Sequence, residues 1–222
     1  MSIRALIITG GHGFQEQPFW EIFDSFCVGS ARPPSVEDFS YDAVTFPDAF
    51  EHINIEGTKN YDVLVFYDMW QEITPAQQEA YLELLNHGKP IIYLHHALIS
   101  FPDWPEFGKI VGGYWKRGES TVKHDVQYTV QIADANHPVT AGMTDFEIQD
   151  ETYGNFTADP SVHPLLKADH PESAPVIGWA HQYANSPIVY LQLGHDSFAY
   201  GNPNYRRLIN QGMRCLVGAA TN

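Results

Sequence analysis

Short apolar runs closed by turn residues punctuate the first half of the chain: Ala5 to Thr9, Ala43 to Phe46, Val63 to Tyr67 and Ile91 to Leu94. Continuous apolar runs of this length are how strands buried on both faces of a parallel sheet read. Helical periodicity separates them. Pro18 to Val28 sets Phe19, Ile22, Phe23 and Phe26 at helical spacing. Thr74 reads as an N-cap with Pro75 at the first helical position. The helix it opens runs through Tyr81, Leu82 and Leu85 and stops at His87-Gly88, with Gly88 as C-cap. Strand and helix in alternation predict a parallel sheet covered on both faces.

The period changes after the midpoint. Val122 to Ala133 alternates, with Val126, Tyr128, Val130 and Ile132 on one side, as a half-exposed strand does. Phe146-Glu147-Ile148 and Val176 to Ala180 behave alike, so antiparallel strands are expected as an edge or extension. An apolar strand, Ile188 to Leu193, and a final helix from Asn204 to about Val217 close the chain. The 222 residues suit one core, so residues 1–222 read as a single domain. The fold class is α/β: three layers around a mostly parallel, doubly wound sheet with antiparallel additions. The exposed side of the strand around Tyr128 and Val130 is where a homo-oligomer would pair.

In an open α/β sheet the ligand cleft lies beyond the carboxyl ends of the strands. Gly10-Gly11-His12-Gly13 follows the first strand and Asp68-Met69-Trp70 the third. His95-His96-Ala97 follows the fourth, and Gly194-His195-Asp196 the late one. Each piece alone has an ordinary reading: a tight turn for the glycines, a core histidine for His96, a cap for Asp68. The glycines lack G-x-G-x-x-G spacing and a P-loop lysine, which argues against a nucleotide. Convergence of four histidines on one rim is what points to a site. Adjacent side chains along a strand point opposite ways, so one of His95 and His96 is expected to face the cleft, and His96 is the choice.

Composition removes other classes. Twenty-seven acidic against twelve basic residues give a formal charge of −15, which repels phosphate backbones and anionic lipid. Nucleic acid and membrane surfaces are therefore not expected partners. Cys27 and Cys215 form no C-x-x-C or other metal-type pair and read as small buried residues of a reducing, cytoplasmic protein. The apolar run near Met1 is short and broken by Gly10-Gly11-His12, so it reads as a first strand rather than a leader.

The order of the motifs resembles the ThuA-like family, named for trehalose utilisation, of the flavodoxin-like, class I glutamine amidotransferase-like superfamily. The resemblance rests on Thr9 to His12, Asp62 to Phe66, Gly88 to Ala97, Val111 to Trp115, His137 to Gly142, Asp150-Glu151-Thr152-Tyr153, Trp179 and Gly194-His195-Asp196. Amidotransferases of this fold place a cysteine on a strained turn directly after a central strand, activated by a histidine after a late strand. The resemblance puts His95-His96-Ala97 at the nucleophile turn and His195 at the histidine position. Glutamine hydrolysis through a thioester is then not expected.

Two chemistries remain. In one, His195, His96 and Glu151 act as acid and base on a sugar hydroxyl or carbonyl. In the other, two or three of His12, His96 and His195 bind a divalent metal such as zinc, with Asp68 or Glu151. His12, Asp68, Trp70, Tyr153 and Trp115 are the expected substrate-binding residues, since aromatic faces stack on sugar rings while polar groups fix hydroxyls. The segment Phe101 to Gly113, with Trp104 and Pro105, reads as a loop over the cleft. What the resemblance implies is a carbohydrate-processing enzyme of isomerase or hydrolase type, acting on a disaccharide or keto-sugar. A non-catalytic sugar-binding or regulatory module, or a subunit serving a partner dehydrogenase, are the other readings.

Overall fold

The computed structural model describes residues 2–27 and 39–220. In chain order the elements are β1 (Ile3–Gly10), α1 (Glu16–Cys27), β2 (Phe39–Thr45), α2 (Ile55–Thr58), β3 (Val63–Asp68), α3 (Pro75–Asn86) and β4 (Ile91–Leu94). There follow α4 (Pro105–Val111), β5 (Gly113–Tyr114), β6 (Thr121–Ile132), β7 (Phe146–Gly154) and β8 (Thr157–Ala158). The last are β9 (His163–Ala168), β10 (Val176–Tyr183), β11 (Ser186–Leu191), α5 (Ser197–Gly201) and α6 (Pro203–Ala220). The helix expected from Pro18 to Val28 is α1, with Val28 outside the described residues.

One nine-stranded sheet runs β2-β1-β3-β4-β11-β10-β9-β6-β7. From β2 through β11 each neighbouring pair is parallel; from β11 through β7 each is antiparallel. The antiparallel strands are thus an extension of the parallel part, as expected, and make up close to half of the sheet. Alternation along β1 explains the two cores. Ala5 and Ile7 join a cluster with α1, α5 and α6, while Leu6 and Ile8 join a second cluster with α3 and α4.

Local signals act as expected. Thr74 and Gln77 form a reciprocal capping box at α3, and Gly88 (φ 90°) follows its end. Tyr128 and Val130 are buried in the core, because β6 packs its apolar side inward, while Gln127 on the other side of the strand is exposed. Trp104 is likewise buried, against Tyr81, Phe101 and Phe107, so the expected loop over the cleft is the packed start of α4. Cys27 is exposed and Cys215 half-buried, against the expectation of two buried thiols. Among the described residues no helix is long and apolar enough to cross a membrane.

Candidate functional site

At the carboxyl end of β1 the chain must turn sharply. Gly10 (φ 141°) and Gly11 (φ 75°) do so, and a Cβ on Gly11 would lie 1.8 Å from the Met69 carbonyl oxygen. That fit admits glycine alone, and it carries His12 over the site. The His12 ring lies 4.8 Å from that of His96 and 5.9 Å from that of His195.

The turn after β4 departs from expectation. His95, the first residue beyond the strand, has φ 54°, a left-handed conformation uncommon outside glycine. The simple alternation that favoured His96 alone fails there, because the backbone is no longer extended. Both rings are delivered to the site, 5.1 Å apart. His95 is fully buried, with Nδ1 2.7 Å from the Gln192 carbonyl oxygen. A carbonyl only accepts, so the proton sits on Nδ1 and the Nε2 lone pair faces inward. His96 repeats the arrangement: Nδ1 donates to the Asp68 carbonyl at 3.0 Å, and its buried Nε2 has no partner. Burial pushes His95 down to about 3 and His96 well below the ordinary imidazole value, so both are neutral.

The opposite wall comes from β7. Glu151, 4% exposed, sets Oε2 3.2 Å from His95 Nε2 and Oε1 3.1 Å from His195 Nδ1. His124 Nδ1 also contacts Oε1. His195 Nδ1 is buried and, despite that proximity, lacks the alignment of a hydrogen bond. Burial lowers His195 while Glu151 and Asp196 pull it back up. The Tyr153 hydroxyl lies 2.9 Å from His95 Nε2. His95, Glu151 and His195 bring three ligand atoms within 4.8 Å of one another.

Sequence reasoning passed over His124 and Asp150. His124 and Asp125 stand where the β6–β7 register shifts, between the Lys123–Thr152 and Val126–Asp150 pairs. This bulge, with Asp125 at φ 55°, sets the His124 ring against Glu151. Asp150 accepts from the backbone N–H groups of Gly194 (2.7 Å), His195 (2.9 Å) and Glu151 (2.9 Å), holding the His195 turn to β7. Its signal was available: Asp150 continues the buried side of Phe146 and Ile148, where a carboxylate needs partners. Asp196 does not take that part; it caps α5 through the N–H groups of Phe198 and Ala199.

The cavity holds about 210 Å³ and is lined by His12, His95, His96, Trp70, Trp115, His124, Glu151 and Tyr153 among others. Of the expected substrate-binding set, Asp68 does not line it. Its buried carboxyl accepts from Ser100 at 2.9 Å beneath the wall, because Asp68 shares the alternation of Leu64 and Phe66, which pack in the core with α3 and α4. The expected metal set of His12, His96 and His195 is not the one with ligand atoms close together; His95 and Glu151 replace His12 and His96.

Histidines gathered at the carboxyl ends of parallel strands, closed by an antiparallel wall, define a mixed α/β protein with a histidine-lined cavity where the sheet switches from parallel to antiparallel. The chain belongs to the ThuA, or trehalose utilisation, family, whose model matches residues 4–215. It resembles a ThuA-like protein from Parabacteroides merdae (TM-score 0.76, 19% identity, 98% of this chain and 90% of that one). A second ThuA-like protein, from Bacteroides uniformis, gives 0.71 at 20% identity over 96% and 91%. A cytoplasmic protein from Salmonella typhimurium gives 0.62 at 12% identity over 96% and 98%. No curated protein matches the chain.

Proposed function

We propose that this protein is a small-molecule enzyme of carbohydrate utilisation, acting on a disaccharide or keto-sugar at the histidine cavity. The observation that supports it is Glu151, a buried carboxylate surrounded by His95, His124 and His195, with the free Nε2 of His96 on the facing wall. A carboxylate and neutral imidazoles within one cavity can take up and return a proton on a sugar hydroxyl or next to a carbonyl. His96 is the base toward substrate, with Glu151 and His195 as its acid–base partners and His12 a neighbour above them. Trp70, Trp115 and Tyr153 give the aromatic lining that sugar rings stack on.

In the doubly wound, amidotransferase-like reading of the sheet, His95 stands on the strained turn where that class keeps its cysteine. Neither Cys27 on α1 nor Cys215 on α6 lies among the cavity residues, which argues against glutamine hydrolysis through a cysteine thioester. A keto-sugar substrate would come from a partner dehydrogenase. A panel of disaccharides and keto-glycosides, read against His96→Ala and Glu151→Gln, tests the reading. Turnover by the parent and a loss of at least about 100-fold in both variants is expected. Undiminished turnover in the variants removes these residues from the chemistry, and ligand binding without any turnover makes the chain a binding module.

A further inference from the structure

We infer that His95 Nε2, Glu151 and His195 Nδ1 form a binding site for one divalent cation of the zinc type, with a fourth position open to the cavity. This deepens the proposed function and rests on it only for where the chemistry occurs. The protonation pattern carries the argument. His95 spends its one N–H on the Gln192 carbonyl, so Nε2 meets Glu151 Oε2 at 3.2 Å as lone pair against lone pair. His195 Nδ1 stands 3.1 Å from Oε1, buried, without a hydrogen bond. The facing acceptors His95 Nε2 and Glu151 Oε2 would be stabilised by a positive centre between them.

The spacing suits a metal. Tetrahedral zinc with bonds of about 2.0–2.2 Å holds its ligand atoms about 3.3–3.6 Å apart. His95 Nε2 on Oε2 and His195 Nδ1 on Oε1 are each just inside that spacing, and one ligand atom from each of the three residues falls within 4.8 Å of the others. The surroundings are those of a ligand set as well: a carbonyl fixes the His95 tautomer, and His124 braces the carboxylate from outside. The Tyr153 hydroxyl, 2.9 Å from the same Nε2, competes for that lone pair and must turn aside. His12 and His96 stay free to meet substrate. A cation at this point would bind sugar oxygens and polarise a carbonyl or hydroxyl as a Lewis acid.

The test needs no sugar. Protein without a histidine tag is stripped with EDTA and titrated with Co²⁺. One Co²⁺ per chain with four-coordinate visible absorption is expected. Affinity should fall by at least about 100-fold in Glu151→Gln and His195→Ala, beyond what losing an outer partner costs. It should be unchanged in His163→Ala, whose ring pairs with Asp134 elsewhere. Saturating Zn²⁺ should also raise the unfolding temperature of the parent, a readout independent of whether the variants fold. Binding far below one per chain, equal binding in both variants, or no thermal shift overturns the site. Because binding is read alone, a failed site leaves the sugar reading standing, and a bound metal without turnover leaves the site standing.

Discussion

The parallel and antiparallel parts of the sheet build the site by different means. The parallel part contributes His12, His95, His96 and His195 from turns beyond strand ends, each next to a residue with positive φ or itself in that region. The antiparallel part contributes Glu151 and Tyr153 from within β7 and His124 from the bulge in β6. Turns can be re-aimed without disturbing pairing, whereas a strand residue is fixed by its register. The imidazoles therefore sit on adjustable mounts, and the carboxylate on a rigid one.

Glu151→Gln is the most direct way to break that contrast. It keeps shape and β7 pairing while removing the charge that His95, His124 and His195 share. Turnover on a responsive sugar should fall by about 10²–10⁴-fold with the circular dichroism unchanged. His124→Ala, which removes an exposed brace, should cost less than about 10-fold. Equal losses would mean that the bulge, not the strand, supplies the essential group.

The same contrast explains what the sequence revealed. Strand ends followed by His, Asp or Gly were legible because apolar runs stop abruptly, and so His12, His96 and His195 were placed on the rim. His95 departs from the expected alternation because alternation presumes extended backbone, and φ 54° appears only in three dimensions. The bulge that re-aims His124 leaves no mark in the alternation of Val126, Tyr128 and Val130. Asp150 was visible as a carboxylate on an apolar side, but its three N–H partners include two from a turn 44 and 45 residues away. The sheet was easier, since local period and turn residues agree along most of the chain.

A second test strikes the mount of His12. In Gly11→Ala the new Cβ meets the Met69 carbonyl at 1.8 Å at a residue held at φ 75°. The conformation alone costs about 1–3 kcal/mol and the clash adds to it. Urea unfolding should show a loss of at least about 2 kcal/mol, with sugar affinity reduced through the displaced His12. Gly13→Ala, with open space around its Cβ, is the control expected within about 1 kcal/mol. If Gly11→Ala is as stable as Gly13→Ala, the turn that carries His12 does not depend on glycine as described.

The two parts also hide unlike carboxyls. Asp150 has three N–H donors and burial lifts it to about 7; Asp68 has the Ser100 hydroxyl on Oδ1, an unpartnered Oδ2, and is lifted to about 8. Asp68 binds its proton more tightly folded than unfolded. Between about pH 4, its unfolded value, and about pH 8 the native state holds the extra proton, so stability falls as pH rises. The slope from this group is at most about 1.4 kcal/mol per pH unit. Asp68→Asn, which resembles the neutral acid, should lose that slope between pH 5 and pH 8 in urea unfolding. Parallel curves for parent and variant would show the carboxyl ionised in the fold.

The smallest expected effect concerns where the two parts leave room. Trp70, after β3, is 63% exposed and sits at φ 54°, with its N–H donating to the Ile99 carbonyl at 3.0 Å. It borders the 210 Å³ histidine cavity and also an adjoining one of about 360 Å³ lined by Trp104, Tyr114, Trp115 and Arg117. A substrate with one reacting ring and a second, remote ring would pass over Trp70 from one cavity to the other. Stacking on one aromatic face contributes about 0.5–1.5 kcal/mol. Trp70→Ala should therefore raise KM about 3–10-fold for a two-ring sugar, with kcat changed less than about 2-fold and little change for a one-ring analogue. An equal KM change for both would confine the indole to the reacting ring, and a kcat loss would place it in the chemistry of the histidine wall.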